Sequence, residues 1–137
     1  MTELAALEAA LAAEQAIVYG YGVIGARTRE ATRAHATNAL AAHVLVRDRV
    51  TALIRAAGAT PAAAEPAYQL PFDVTSTASA RQLGAHLEQG AAGAAWDLVA
   101  ASPAGSATRA NAIIWLSQAA QRAAYWGGRQ ALPGQPA

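Results

Sequence analysis

Three side chains able to hold a metal or a buried charge lie in or beside stripes that should be apolar: Glu14, His43 and Glu88. At about 100° per residue, Leu7, Leu11, Glu14, Val18, Tyr21 and Gly25 fall on one narrow strip of a helix. Ala36, Leu40, His43, Arg47, Val50 and Ile54 share a face in the next segment, and Glu88 flanks a third stripe of Leu83, Leu87, Ala91, Ala94 and Leu98. A carboxylate covered by such a strip must meet a cation, a metal or a proton, because an isolated charge is not tolerated away from water. Arg47 is one turn from His43 and offers a five-donor fork to a core carboxylate. Gln118 and Gln121 can complete the hydrogen bonds, and by angle the Tyr21 hydroxyl can join them. The expectation is a metal-free buried polar centre of Glu14, His43, Arg47, Glu88, Gln118, Gln121 and Tyr21, without cofactor. Removal of Arg47 should then strand a charge at a cost of about 3–5 kcal/mol. The alternative is a single zinc or iron held by Glu14, His43 and Glu88, three ligands from three helices.

These residues are carried on a chain that reads as helical throughout. Alanine supplies 41 of the 137 residues, and alanine is the best helix former because it loses no side-chain entropy on folding. Thr2 can cap a first helix over 3–26, with Glu3 and Glu8 suited to its dipole. Gly20, Gly22 and Gly25 in that helix point to a close approach by another backbone, and Thr28 is placed to cap a second helix over 29–57. Gly58 and Pro61 end the second helix. The stretch 58–75 is read as an ordered crossover anchored by Tyr68 and Phe72. A cap within Thr75–Thr77 opens a third helix over 76–101, closed by Pro103 and Gly105. Ser106 or Thr108 opens a fourth over 107–126, with Ile113, Ile114, Leu116, Ala120 and Ala124 facing inward in part. Gly127 and Gly128 end it, and 127–137 is an irregular tail. No strand of period two is visible, so the expected architecture is a single all-α, ferritin-like four-helix bundle with its long crossover between helices two and three.

Composition removes several function classes. The ten basic residues are all arginine and are scattered, for a net charge of +1, so a nucleic-acid footprint is not expected. Cysteine is absent, which excludes disulfides, thiolate metal sites and cysteine nucleophiles and suits a reducing, cytoplasmic setting. The longest uncharged apolar run, Ala16 to Ala26, is too short to span a bilayer. Ser117 has no nucleophile-elbow glycines around it, and the glycines of the first helix do not follow a strand, so neither serine catalysis nor dinucleotide binding is indicated. His35, in a polar stretch, is expected in solvent, His86 at the surface or a dimer contact, and Asp48 facing water or pairing with a nearby arginine.

In order and spacing, the run Glu14-Gln-Ala-Ile-Val-Tyr-Gly-Tyr-Gly-Val-Ile-Gly-Ala, then His43-x3-Arg47-Asp48, Gly58-Ala-Thr-Pro61, Tyr68-x-Leu-Pro71 and His86-Leu-Glu88 resembles a ferritin-like family of small, alanine-rich bacterial proteins of unknown function. The resemblance runs from about Leu4 to Leu132-Pro-Gly. It implies the four-helix fold and a homodimer, and no known reaction. Di-iron bundles take one Glu from each of two helices and a Glu-x-x-His pair from each of the other two. Here the second-helix pair reads Leu40-Ala-Ala-His43, the fourth-helix analogue is Gln118-Ala-Ala-Gln121, and 106–137 contains no Asp, Glu or His. A di-iron site is therefore not expected. The chain reads as a non-catalytic protein acting through homodimer assembly or partner binding, with the glycine face of helix one and Trp115, Tyr125 and Trp126 as candidate contact surfaces. A cavity near Glu14 that admits a small apolar or cationic ligand is a further possibility.

Overall fold

A computed structural model of the chain describes residues 1–127. It is all-helical: α1 (Glu3–Arg27), α2 (Glu30–Ala56), α3 (Thr77–Ala101) and α4 (Ala107–Trp126), with no strand among the described residues. The helix starts are set by short polar side chains that accept from orphan backbone N–H groups. The Thr2 side chain accepts from the amide of Ala5, Ser76 from that of Ser79 and Ser106 from that of Arg109. Gly58, Gly105 and Gly127 all have positive φ in the turns that follow helices, and Gly127 is the left-handed cap of α4. Of the irregular tail expected over 127–137, all but Gly127 lies outside the described residues.

One expected cap is different. Thr28 does not open α2; its hydroxyl donates back to the carbonyl of Ile24 at 2.6 Å and so ends α1. The N-cap of α2 is Arg29, which gives no side-chain cap, and Glu30 begins the helix at φ 51°. A two-residue turn between long helices has no room for a capping residue of its own once Thr28 is committed to the helix before it.

Packing contacts join α2 to α1, α1 to α3 and α3 to α4. The core divides into two apolar clusters. One gathers Ile17, Tyr21, Ile24, Ala36, Ala39, Val74, Leu83, Leu87 and Trp126. The other gathers Leu7, Leu11, Val46, Val50, Ile54, Leu98 and Ala112. The start of α1 and the end of α2 share a cluster, as do the end of α1 and the start of α3. Hence α2 and α3 run the same way, and the chain between them must return along the molecule. It does so against α1: Gln15 Nε2 donates to the carbonyl of Ala62 at 2.9 Å, Tyr68 lies 5.8 Å from Tyr19, and Val74 is buried. Phe72 is not an anchor of this segment, being 37% exposed; Val74 and Leu70 are the residues that dock.

Of the three glycines of α1, only Gly20 meets a close neighbour. A Cβ there would lie 2.8 Å from the Leu87 side chain, whereas Gly22 and Gly25 have open space. The close approach is thus to a side chain of α3, not to a backbone. Gly84 of α3 answers to the same logic, since its Cβ would fall 2.6 Å from the indole of Trp126. Ile113 and Ile114 do not face inward. Both are half-exposed, and the buried face of α4 is Ala112, Ala119, Ala123 and Trp126. No helix among the described residues is long and apolar enough to cross a membrane.

Candidate functional site

Glu14 on α1 and His43 on α2 sit between the two apolar clusters, each in a helix stripe that is apolar above and below it. Glu88 on α3 faces them and is fully buried. The imidazole of His43 is the hinge of the arrangement. Its Nδ1 lies 2.6 Å from Glu14 Oε2, and its Nε2 lies 3.1 and 3.0 Å from the two oxygens of Glu88. Two further groups close on Glu88, and a third supports one of them. The Tyr21 hydroxyl donates a short hydrogen bond to Glu88 Oε2, and Arg122 Nε donates to Oε1 at 3.1 Å. The Trp126 indole N–H donates to the Tyr21 oxygen at 2.9 Å. The Tyr21 and His43 rings stack at 5.6 Å between centroids.

The structure thus brings Glu14, His43, Glu88 and Tyr21 together and leaves three expected members out. Arg47 pairs with its neighbour Asp48, Nη2 to Oδ1 at 2.9 Å, and does not approach Glu14. The buried stripe of α2 runs Ala36, Ala39, His43, Val46, Val50 and Ile54, so the residue one turn beyond His43 that goes inward is Val46, and Arg47 falls at the flank. Gln118 and Gln121 are exposed, because Ala119 and Ala123 take the buried positions of α4.

Arg122 and Trp126, absent from the expected centre, take their place. The spacing that exposes Glu14 in α1 was also present here: Trp115, Ala119, Arg122 and Trp126 recur at intervals of four, three and four. An arginine in such a stripe carries the same message as a glutamate. His35, expected in solvent, instead stacks on Tyr125 at 3.4 Å and meets the Trp126 edge at 5.0 Å. Burial pushes its pKa down; Glu88 opposes this, and Arg122 and Arg81 reinforce it. His86 is exposed.

Electrostatics explain how so many polar groups sit in an alanine-rich core. Burial by itself would push the pKa of His43 down, but the hydrogen bonds and charges of Glu14 and Glu88 outweigh it and raise it to about 9. For Glu88, burial would raise the pKa, yet His43, Arg122 and the Tyr21 hydroxyl hold it below the usual range. Burial, with the charge of Glu88 second, pushes the Tyr21 phenol well above its ordinary value, so it remains a neutral donor. Formal charges then cancel, with the carboxylates of Glu14 and Glu88 matched by the imidazolium of His43 and the guanidinium of Arg122.

This donor set does not fit a pair of metal ions. His43 directs its two nitrogens at different carboxylates, and Arg122 places a fixed positive charge on Glu88 where a second cation would need to lie. Among the described residues no cluster of three metal-ligating side chains is disposed around a common point. Beside Glu14, His43 and Arg122 there is a cleft of about 10 Å³ for the centre of a water-sized molecule, lined otherwise by alanines, Val46, Leu98 and Trp115. It has room for roughly one water and for nothing larger without movement.

Among the described residues the chain is therefore all-α, with four helices around a self-neutralised ionic centre. The chain belongs to the family described as a domain of unknown function (DUF4439), whose model matches residues 6–137. It is also similar to a conserved hypothetical protein, rv2844, from Mycobacterium tuberculosis. Over 90% of this chain and 93% of that one, the two are 35% identical with a TM-score of 0.84. No curated protein matches the chain.

Proposed function

We propose that this is a ferritin-like protein without catalytic activity, which carries an ionic centre in place of a metal site and acts by assembling into a homodimer. The observation that carries the reading is charge closure. Glu14 and Glu88 are matched by His43 and Arg122, and every one of these groups is held by a partner on another helix. An ion is not needed to make the interior neutral, and admitting one would require displacing a guanidinium and a proton. The parallel run of α2 and α3, joined by a long return segment, supports the ferritin-like plan. The lack of cysteine accords with a cytoplasmic setting.

The ion-free reading is tested by elemental analysis of protein purified without a metal-affinity tag, together with thermal melts in the presence and absence of a chelator. The expected result is substoichiometric metal and an unchanged Tm. One zinc or iron per chain, lost with a fall in Tm on chelation, would overturn it in favour of a mononuclear centre on Glu14, His43 and Glu88.

A further inference from the structure

The last turn of α4 is held by a cluster of rings outside the ionic centre. Tyr125 lies flat against His35 of α2, with 3.4 Å between centroids and 12° between planes, and Trp126 meets His35 edge-on at 5.0 Å. Arg81 of α3 sits over the same two rings, 5.1 Å from the Tyr125 centroid and 5.6 Å from that of Trp126. Its Nη2 also donates a short hydrogen bond to the Tyr125 carbonyl. Trp126 fills the notch left by Gly84 and donates to the Tyr21 hydroxyl, which in turn donates to Glu88. Because α2 and α4 do not pack along their lengths, the His35 ring is what α2 contributes to this seat. One atom in the seat is not provided for: His35 Nε2 is buried and has no hydrogen-bond partner among the described residues.

We infer that His35 is an acid-operated latch: neutral, it holds the last turn of α4 against α2, and protonated, it leaves the seat and lets Tyr125 and Trp126 move away from the centre. Two features of the seat oppose protonation. An imidazolium carries N–H on both nitrogens, and with no acceptor at Nε2 a charged donor would be buried unpaired. The ring faces that could attract it are already shared with the Arg81 guanidinium, so protonation would set two cations on one aromatic pair. The charged groups acting on His35 are Glu88 and Arg81 of α3 and Arg122 of α4, and the titratable group in contact with it is Tyr125. Only Glu88 among them favours the proton, and it is already engaged by His43, Arg122 and Tyr21. Burial, the largest influence, holds the pKa of seated His35 below 6.5. A released ring binds its proton near 6.5 and the seated ring only at lower pH. The ratio of open to seated molecules therefore rises up to about tenfold for each unit of pH below 6.5, until the seated ring itself protonates. Opening breaks the Trp126–Tyr21 hydrogen bond and bares the Tyr21 side of the ionic centre.

The test is amide hydrogen exchange of the full chain by NMR at pH 7, 6 and 5, read as protection factors so that the intrinsic pH dependence of exchange drops out. The His35 ring is titrated in the same samples. Protection of amides 123–126 should fall about tenfold or more between pH 7 and 5, while that of amides 112–119 holds to within about twofold. His35 should titrate below 6.5. His35→Phe keeps a stacked ring that cannot take a proton, and it should hold protection constant over the range. His86→Gln, a change at an exposed histidine, should behave as wild type. Arg81→Gln removes the competing cation and should raise the pH at which His35 titrates. The latch is overturned by a His35 that titrates at or above 6.5, or by one whose titration does not move in Arg81→Gln. It is equally overturned if protection at 123–126 is independent of pH, falls no more than at 112–119, or still falls in His35→Phe. Should His35→Phe not fold, the wild-type titration and Arg81→Gln decide the matter.

Discussion

Raising the pH should destabilise this protein through its ionic centre, and the size of the effect can be worked out. His43 carries a folded pKa of about 9 against an ordinary value of 6.5. A group whose pKa is raised by folding stabilises the fold fully below the unfolded value, and that contribution is lost as pH rises through the folded one. At about 1.4 kcal/mol per unit, the interval from 6.5 to about 9 corresponds to about 3 kcal/mol, a large part of the stability of an ordinary domain. Glu88 works in the opposite sense. Its pKa is depressed from 4.5, so its contribution is present above 4.5 and is lost as pH falls through the folded value. His35, whose pKa burial lowers from 6.5, costs stability as pH falls below that value, so stability should be greatest near pH 6.5.

Up to about pH 9 the alkaline limb is clean, since the chain has neither lysine nor cysteine and its ten basic residues are arginine; from about pH 10 the buried Tyr21 phenol, whose pKa is raised, adds a further loss. The assay is urea unfolding followed by circular dichroism at pH 6, 7, 8, 9 and 10, with the imidazole of His43 titrated in parallel by NMR. The unfolding free energy should fall by about 3 kcal/mol from the first pH to the last, and the His43 titration should fall near 9. His43→Gln should be less stable at pH 6 and nearly flat above it. A wild-type curve flat to within about 0.5 kcal/mol between pH 6 and 10, or a His43 that titrates near 6.5, would refute the charge-closure argument.

Other substitutions separate the groups that hold the centre from those that only resemble members of it. Arg122→Met should destabilise by about 3–5 kcal/mol, because Glu88 is left buried with one fewer cation. Arg47→Ala should change the unfolding free energy in urea by no more than about 0.5 kcal/mol, since its partner Asp48 is a surface group; the reverse ranking would show that Arg47 is the counter-ion. Tyr21→Phe should cost about 1–3 kcal/mol, because Trp126 and Glu88 each lose a buried hydrogen bond, and a neutral result would mean that these bonds are not formed in solution. Gly84→Ala should cost about 1–3 kcal/mol by driving a methyl into the Trp126 ring. Gly22→Ala has open space and should stabilise by about 0.5–1 kcal/mol. Equal effects on thermal melting would dismiss the packing account of Gly84.

Much of this molecule is local, and what is local can be read from the chain. Helix starts at Thr2, Ser76 and Ser106 and the stop at Gly127 depend on side-chain oxygens or a missing Cβ acting within a turn. The alanine content and the absence of period-two segments are enough for an all-α fold of four helices. Glu14 announces itself for a similar reason: a charge in an apolar stripe is visible in one dimension. What one dimension cannot supply is the partner. Arg47 and Arg122 are both within reach of a core carboxylate by residue type. The choice between them depends on whether Val46 or Arg47 turns inward after His43, and on how deeply Ala119 and Ala123 let α4 settle against α3. Those are matters of helix rotation and interhelical distance, fixed by packing between segments 29 to 105 residues apart in the chain. So also the neutral balance of the centre, the seat of His35 against Tyr125 and the exposure of Leu45 and Ile114 were decided only when four helices met. A carboxylate's need for a cation is a property of the residue, whereas the identity of that cation is a property of the fold.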